Sequence, residues 1–285
     1  MNLGLILRVG VARGLSSLRL VLVRPQDIIT MILPPAIMCV ALWVYRDSQL
    51  MGVPVPVAVL PGLLTLQVTM ICFSGVLTSL LVERYDGTVQ RLRTLPQGLA
   101  IYAVGQTIHQ TLSTLLGSAL LLPVFFFSSG FQVNILLLIA ALITGLLLCT
   151  TWGLLLGSIV RSGSSSISAA MTPFVVMIIF SGLVVPMIMT PAWMQTVGSY
   201  LPLFWLGQLF REAMLPASGG VLEIGGKFEP GIAALNVSVW MLVGLVLTPI
   251  FLNRLTRRAV GGGRHEGRQK AVPDGNTPAL GEGIR

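Results

Sequence analysis

The sequence predicts an all-α, polytopic membrane protein: six transmembrane helices, an N-terminal interfacial helix, and short re-entrant outer helices between spans five and six. Three observations lead there. The 285-residue chain is 54% hydrophobic with mean hydropathy +0.87, outside the ordinary soluble range. Its apolar residues gather into six long runs, and a helical crossing of the hydrocarbon core takes roughly 20 mainly apolar residues. The runs do not alternate as barrel strands would; Leu136-Leu137-Leu138-Ile139 is apolar throughout. Each run must be helical, because lipid offers the backbone no hydrogen-bond partners.

Residues 1–27 read as a cytoplasmic amphipathic interfacial helix. Leu3, Leu7, Val11, Leu18 and Leu22 recur on one face, and Arg8, Arg13, Ser16, Ser17, Arg19 and Arg24 fall mostly on the other. Such a helix serves either as a membrane anchor or as a lever that also touches a cytoplasmic partner. Its scattered arginines leave no uninterrupted apolar stretch for a cleavable signal peptide. Pro25 breaks this helix and starts the next, whose positive N-terminus suits Asp27.

The transmembrane domain covers 28–254, with spans at Ile28–Val44, Val57–Val82, Ile101–Phe127, Ile135–Val160, Ile167–Met189 and Gly231–Leu252. The outer loop Arg46–Pro56 is turn-rich, Ser128–Asn134 is minimal, and Arg161–Ser165 is a tight inner turn. Between spans five and six, residues 190–215 are too apolar for a loop and too short to cross. Two outer half-helices, around Thr190–Val197 and Leu203–Met214, fit that stretch, with Trp193, Tyr200 and Trp205 at headgroup level. An aromatic cap without re-entry is the alternative. Residues 255–285, rich in Gly, Pro and charge from Gly261 onward, are expected to form a disordered cytoplasmic tail.

Charge fixes the orientation. With six spans and both termini on one side, that side holds fifteen Lys and Arg, while the other holds only Arg46, Arg211 and Lys227. The positive-inside rule then makes both termini cytoplasmic in a cell membrane protein. The net charge of +8 thus reflects topology and anionic lipid, with no nucleic acid as partner.

Little in the chain can do chemistry. Cys39, Cys72 and Cys149 lie within spans, without metal-ligand spacing. The Gly-rich stretch from Gly262 to Lys270 has Arg268 where a phosphate-binding loop needs Lys, so no nucleotide site is expected. No Asp, Glu, Lys or Arg sits mid-span, which weighs against the alternative of an ion-gradient-driven secondary transporter. No His, Asp and Glu converge as a membrane-embedded enzyme requires. Catalytic, cofactor-binding and metal-binding residues are therefore all expected to be none.

Span three nevertheless carries a polar face. Gln106, Gln110 and Ser113 share one stripe, with Thr107, Thr111, Thr114 and Ser118 beside it. Together with His109, the residues Gln106, Gln110, Ser113 and Thr114 either bond to neighbouring helices or line a substrate path. Gly145, Cys149, Gly153 and Gly157 repeat every fourth residue on span four, a seam for close helix approach within the chain or between subunits.

The remaining feature is a charged island, residues 83–96, between two apolar runs. On a helix Tyr85, Val89 and Leu92 form an apolar ridge, flanked by Arg84, Asp86, Gln90, Arg91 and Arg93. Pro96 stops the helix. These residues resemble a signature of ABC-2-type exporter permeases, including the daunorubicin-resistance group: E-R-E-x-G-T-x-E-x-L-x-x-x-P after the second span. The match is at Glu83, Arg84, Gly87, Thr88, Leu92 and Pro96; Tyr85 and Gln90 replace the usual acidic residues.

That resemblance implies a permease that works as a dimer, with a second copy or a sister permease. A separate ABC ATPase subunit would bind the cytoplasmic face and carry the ATP and Mg. The island would be the coupling helix, docking through Glu83, Arg84, Tyr85, Gly87, Thr88, Val89, Arg91 and Leu92. The amphipathic cargo expected is a drug, antibiotic, lipid or glycolipid.

Overall fold

The structure is a computed structural model that describes residues 3–88, 91, 97–121, 123–124, 132–160 and 166–269, with backbone alone over 252–269. It is built almost entirely of helices: α1 (Leu3–Val23), α2 (Pro25–Val44), α3 (Val55–Tyr85), α4 (Gly98–Ala119), α5 (Ile135–Ile159), α6 (Ser166–Ile179), α7 (Ala192–Ser199), α8 (Pro202–Met214) and α9 (Pro230–Gln269). The protein is an all-α, multi-pass membrane protein. Among the described residues, α2, α3, α5 and the Pro230–Phe251 part of α9 are long and apolar enough to cross a membrane.

The other two expected spans look different. The third is α4, 22 residues long, whose polar stripe lowers its hydropathy. The fifth, expected as Ile167–Met189, is a 14-residue helix, about 21 Å long and short of a full crossing. Gly182 takes φ +66° just past its end, and Pro186 follows, so the backbone turns where the apolar run continues. Residues 255–269 prolong α9, because no proline interrupts the chain before Pro273 and extending a helix is easier than starting one. Residues 270–285 lie outside the described set.

The 31-residue α3 is the axis of the molecule. Its buried faces carry Val68, Cys72, Phe73, Val76, Leu77 and Leu80 into the main core. The α5 small-residue seam lies against it: a Cβ on Gly153 would sit 3.1 Å from Val76 and 3.2 Å from the Phe73 carbonyl, and one on Gly157 would sit 2.9 Å from Leu80. The seam therefore serves packing within the chain. α6 joins by stacking Phe174 on Phe73, with ring centroids 3.8 Å apart. α9 ties to α5 through Trp152 Nε1 donating to the Trp240 carbonyl and Thr248 donating to the Thr151 carbonyl.

α1 does not pack through its leucine face. Its buried residues are Ile6, Gly10 and Gly14, with Arg13 and Ser17 partly covered, while Leu7, Val11 and Leu22 stay exposed. The glycines let α1 cross α4 closely, against Val104, Ile108 and the Gly105 carbonyl. The apolar face is left outward, where lipid can cover it.

The end of the bundle where α3 begins is closed by α7 and α8. Gln49–Leu50 and Val53–Pro54 form a small antiparallel pair there, turned by Met51 and Gly52, both at positive φ as a tight primed turn requires. α8 drives Leu203, Leu206, Leu209 and Phe210 into the core shared by α3, α5 and α9. Its last carbonyls accept from the Gln132 and Asn134 amides, and the Asn134 side chain then caps α5 by accepting from the Leu137 amide. Trp205 and Trp240 donate to the carbonyls of Ser199 and Tyr200, pinning the α7–α8 corner.

A buried ion pair locks this cap. Arg211 on α8 holds Glu223 through both guanidinium–carboxylate contacts, Nη2 to Oε2 being 3.2 Å, and Glu223 is 1% exposed. Glu212 beside them has a buried, unpartnered Oε2; burial raises its carboxyl above the ordinary value, and the Glu223 charge adds to this. Removing one member of the pair strands the other. Arg211→Met is expected to cost about 3–5 kcal/mol, while Arg211→Met with Glu223→Leu recovers most of it. Thermal unfolding of the variants in nanodiscs checks the order; equal losses in both would remove the pair's role.

Candidate functional site

The candidate site lies where α3 ends. Glu83 and Arg84 are consecutive and still helical, so their side chains leave the helix about 100° apart. Each meets a different element. Glu83 Oε1 accepts from Arg13 Nη2 on α1 at 3.1 Å. The same guanidinium lies 5.0 Å from the centre of the Tyr102 ring, at the start of α4. Arg13 therefore joins α1, α3 and α4 at one point, with its charge facing both a carboxylate and an aromatic face.

Arg84 turns to α5. Its Nη1 donates to the carbonyls of Gly157, at 2.5 Å, and Val160, at 2.7 Å. These belong to the last turn of α5, where carbonyls lack helical partners and the helix end carries partial negative charge. A cation is the complement such an end needs. The close seat of Gly157 on Leu80 brings that end within reach.

Past Tyr85 the chain changes course. Asp86 and Gly87 form a turn, with Gly87 at φ +71°, and a helical segment resumes around Thr88 and Arg91. The island is thus not one helix over 83–96: its first three residues belong to α3, and a glycine-dependent corner follows. Tyr85, 81% exposed, and Asp86, also exposed, are presented outward at this corner. Thr88 is partly buried, and Arg91 is exposed and engaged in an interaction. Val89 and Leu92, the rest of the expected ridge, lie outside the described residues, as does most of 89–96.

The polar face of α4 divides in two. Thr107 and Thr111 donate to carbonyls of their own helix, those of Ala103 and Thr107, and so need no further partner. Gln106, Ser113 and Thr114 are buried, and Gln106 Nε2, Ser113 Oγ and Thr114 Oγ1 have no hydrogen-bond partner among the described residues. His109, partly buried, leaves Nδ1 unpartnered as well. Gln110 packs its carboxamide where a Cβ on Gly75 would stand, so α3 carries a glycine opposite that amide. Gln67 on α3 adds an unpartnered amide near Gly117. The α3–α4 seam is therefore rich in polar groups that the described residues do not satisfy.

Sequence reasoning named Glu83 and Arg84 but gave them an outward role; the structure engages both within the chain. It missed Arg13 and Tyr102 as their companions, and the Arg211–Glu223 pair entirely. Arg13 carried one signal: it falls on the side of α1 that also holds Gly10 and Gly14, where a cation has no reason to sit unless something meets it. Among the described residues no group of His, Cys, Asp and Glu is placed to hold a metal ion.

These contacts are separable. The half-buried Arg13–Glu83 pair is expected to show a coupling of about 1 kcal/mol in an Arg13→Ala/Glu83→Ala double-mutant cycle. Arg84→Leu, which leaves the α5 carbonyls uncapped, should cost about 1–2 kcal/mol. Unfolding temperatures in nanodiscs measure both; a cycle that closes at zero would show that Arg13 and Glu83 act independently.

The comparisons with known proteins come down to one positive finding. A family model described as ABC-2 type transporter matches residues 18–215. No curated protein matched the chain.

Proposed function

Since the chain belongs to the ABC-2 type transporter family, we propose that it is the membrane-spanning permease subunit of an ATP-driven exporter. It moves an amphipathic substrate, such as a drug, antibiotic, lipid or glycolipid, outward using a separate ATPase subunit that carries ATP and Mg. It works as a pair, with a second copy or a sister permease. Counting α4, and α6 together with the apolar segment that follows it to Met189, brings the crossings to six; both termini then lie in the cytoplasm, the side that the excess of Lys and Arg favours. Kinship with the daunorubicin-resistance group rests on the Glu83–Pro96 signature alone.

The observation that carries this reading is the divided engagement of Glu83 and Arg84. A docking segment just past Tyr85 delivers a displacement to the end of α3. From there Glu83 passes it through Arg13 to α1, and Arg84 passes it to the end of α5. Charged and hydrogen-bonded contacts between rigid helices transmit a movement that an exposed loop would absorb. The Gly87 corner lets the segment leave α3 at a fixed angle, and Tyr85 supplies an outward aromatic surface for the partner.

Docking and transmission make different predictions. Gly87→Pro, which cannot adopt φ +71°, and Leu92→Asp should each lower recovery of the ATPase subunit in detergent pull-downs about ten-fold. Arg84→Leu should leave recovery unchanged and cut substrate efflux from proteoliposomes by at least as much. Recovery of the ATPase by all three variants at the level of the unaltered protein would sink the docking assignment.

A further inference from the structure

A second polar region lies on the same inner half of the molecule. A groove of about 360 Å³ opens between the end of α1, the start of α2, and the facing sides of α3 and α4. That volume falls in the range of small-molecule sites. Its walls differ in character. Val21, Met31 and Ile71 form an apolar side, and Ser74, Thr78 and Ser79 of α3 with Gln110 and Ser113 of α4 form a polar one. Asp27, in the first turn of α2, is its one carboxylate, and no Lys or Arg lines it among the described residues.

Two facts point to an occupant. Ser113, on the groove wall, is 6% exposed and its Oγ has no hydrogen-bond partner among the described residues, and His109 beside it on the wall leaves Nδ1 without one. Among the described residues Asp27 makes no ion pair, although Arg24 lies only three residues away. In an apolar setting buried polar groups call for a partner, and a carboxylate at the membrane's edge calls for a cation.

We propose that this groove binds the protonated amine head of an amphiphile, with Asp27 as the counter-ion, Ser113 and His109 as hydrogen-bonding partners, and the tail along Val21, Met31 and Ile71. An anionic head would meet Asp27 with like charge and no compensating base. A neutral head would use the hydroxyls but leave the carboxylate unpaired. The inference rests on the exporter reading for its consequence, that the occupant is cargo: the groove is walled by α1, which Arg13 and Glu83 fix to α3, so displacement of α1 alters the groove.

The test uses three photoreactive probes with one alkyl tail and different heads: a primary amine, an alcohol and a phosphate monoester. Each is applied to the full-length protein in phosphatidylcholine nanodiscs with its ATPase subunit, and labelled residues are located by mass spectrometry. The amine should label α1–α3 around Val21, Met31 and Ile71 about five-fold more than the alcohol, the size expected of a half-exposed ion pair, with the phosphate weakest. Asp27→Asn should bring the amine down to the alcohol, Asp27→Glu should restore it, and Ser113→Ala should weaken both the amine and the alcohol. Adding phosphatidylethanolamine separates two sources of the same amine: competition identifies membrane lipid, and its absence identifies a soluble amphiphile. Equal labelling by all three heads, indifference to Asp27→Asn, or crosslinks from Met31 to a second copy of this chain instead of to the probe would overturn the proposal. A protein that recovers its ATPase but shows no head preference refutes this inference alone; one that recovers no ATPase refutes the exporter reading.

Discussion

Lipid supplies no hydrogen bonds, so a polar group carried into the apolar region must be met from within the molecule or by something it binds. The arrangement of this chain follows from that constraint. Arg84 meets it for the carbonyls that end α5, and Asn134 meets it for the amides that begin α5. Arg211 and Glu223 meet it for each other inside the cap formed by α7 and α8. Thr107, Thr111, Thr144 and Thr151 meet it by turning their hydroxyls onto their own helices. What remains unmet is concentrated on the facing sides of α3 and α4, and that concentration sets the seam apart from the rest of the interior.

The same constraint decides how helices approach. In lipid, association gains little from the hydrophobic effect, and close van der Waals contact has to take over. Gly153 and Gly157 bring α5 onto α3, and Gly10 and Gly14 bring α1 onto α4. A charged contact accompanies each approach: Arg84 reaches the end of α5, and Arg13, between Gly10 and Gly14, reaches Glu83 of α3. Small residues supply proximity, and the charges fix register. A seam without the charges could slide, and charges without the seam would stand too far apart to meet.

Much of the architecture was legible because it depends on apolar runs. The starts of α5 at Ile135 and α8 near Leu203, and the end of α8 at Met214, follow from runs bounded by Asn134, Pro202 and Pro216. The misreadings share a cause. Counting apolar residues assigned α1 a leucine face, yet its packed face is Ile6, Gly10 and Gly14, and glycine has no weight in such a count. The run Ile167–Met189 looked like one span, but Gly182 turns the backbone inside it, and backbone turns leave hydropathy unchanged. Glu83 and Arg84 looked like surface charges because their partners, Arg13 and the carbonyls near Gly157, lie 70 and 73 residues away in the chain. Local pattern finds which residues are unusual; long-range contact decides what they are unusual for.

The junction also explains how two departures from the family signature fit this chain. The usual acidic residues at 85 and 90 are replaced by Tyr85 and Gln90, which removes negative charge just beyond Glu83. Glu83 itself is engaged by Arg13 through Oε1. The outward surface of the corner is therefore aromatic at Tyr85, with Arg91 nearby and the acidic contribution reduced to Asp86. A partner fitted to this surface needs an apolar pocket more than a basic one. Under the proposed function, specificity for an ATPase subunit would depend on shape and on the angle set by Gly87, while Glu83 and Arg84, which the signature preserves, contact α1 and α5. On that proposal, recognition and transmission would be separated within three consecutive residues, so that the outward residue could vary without loosening the contacts behind it.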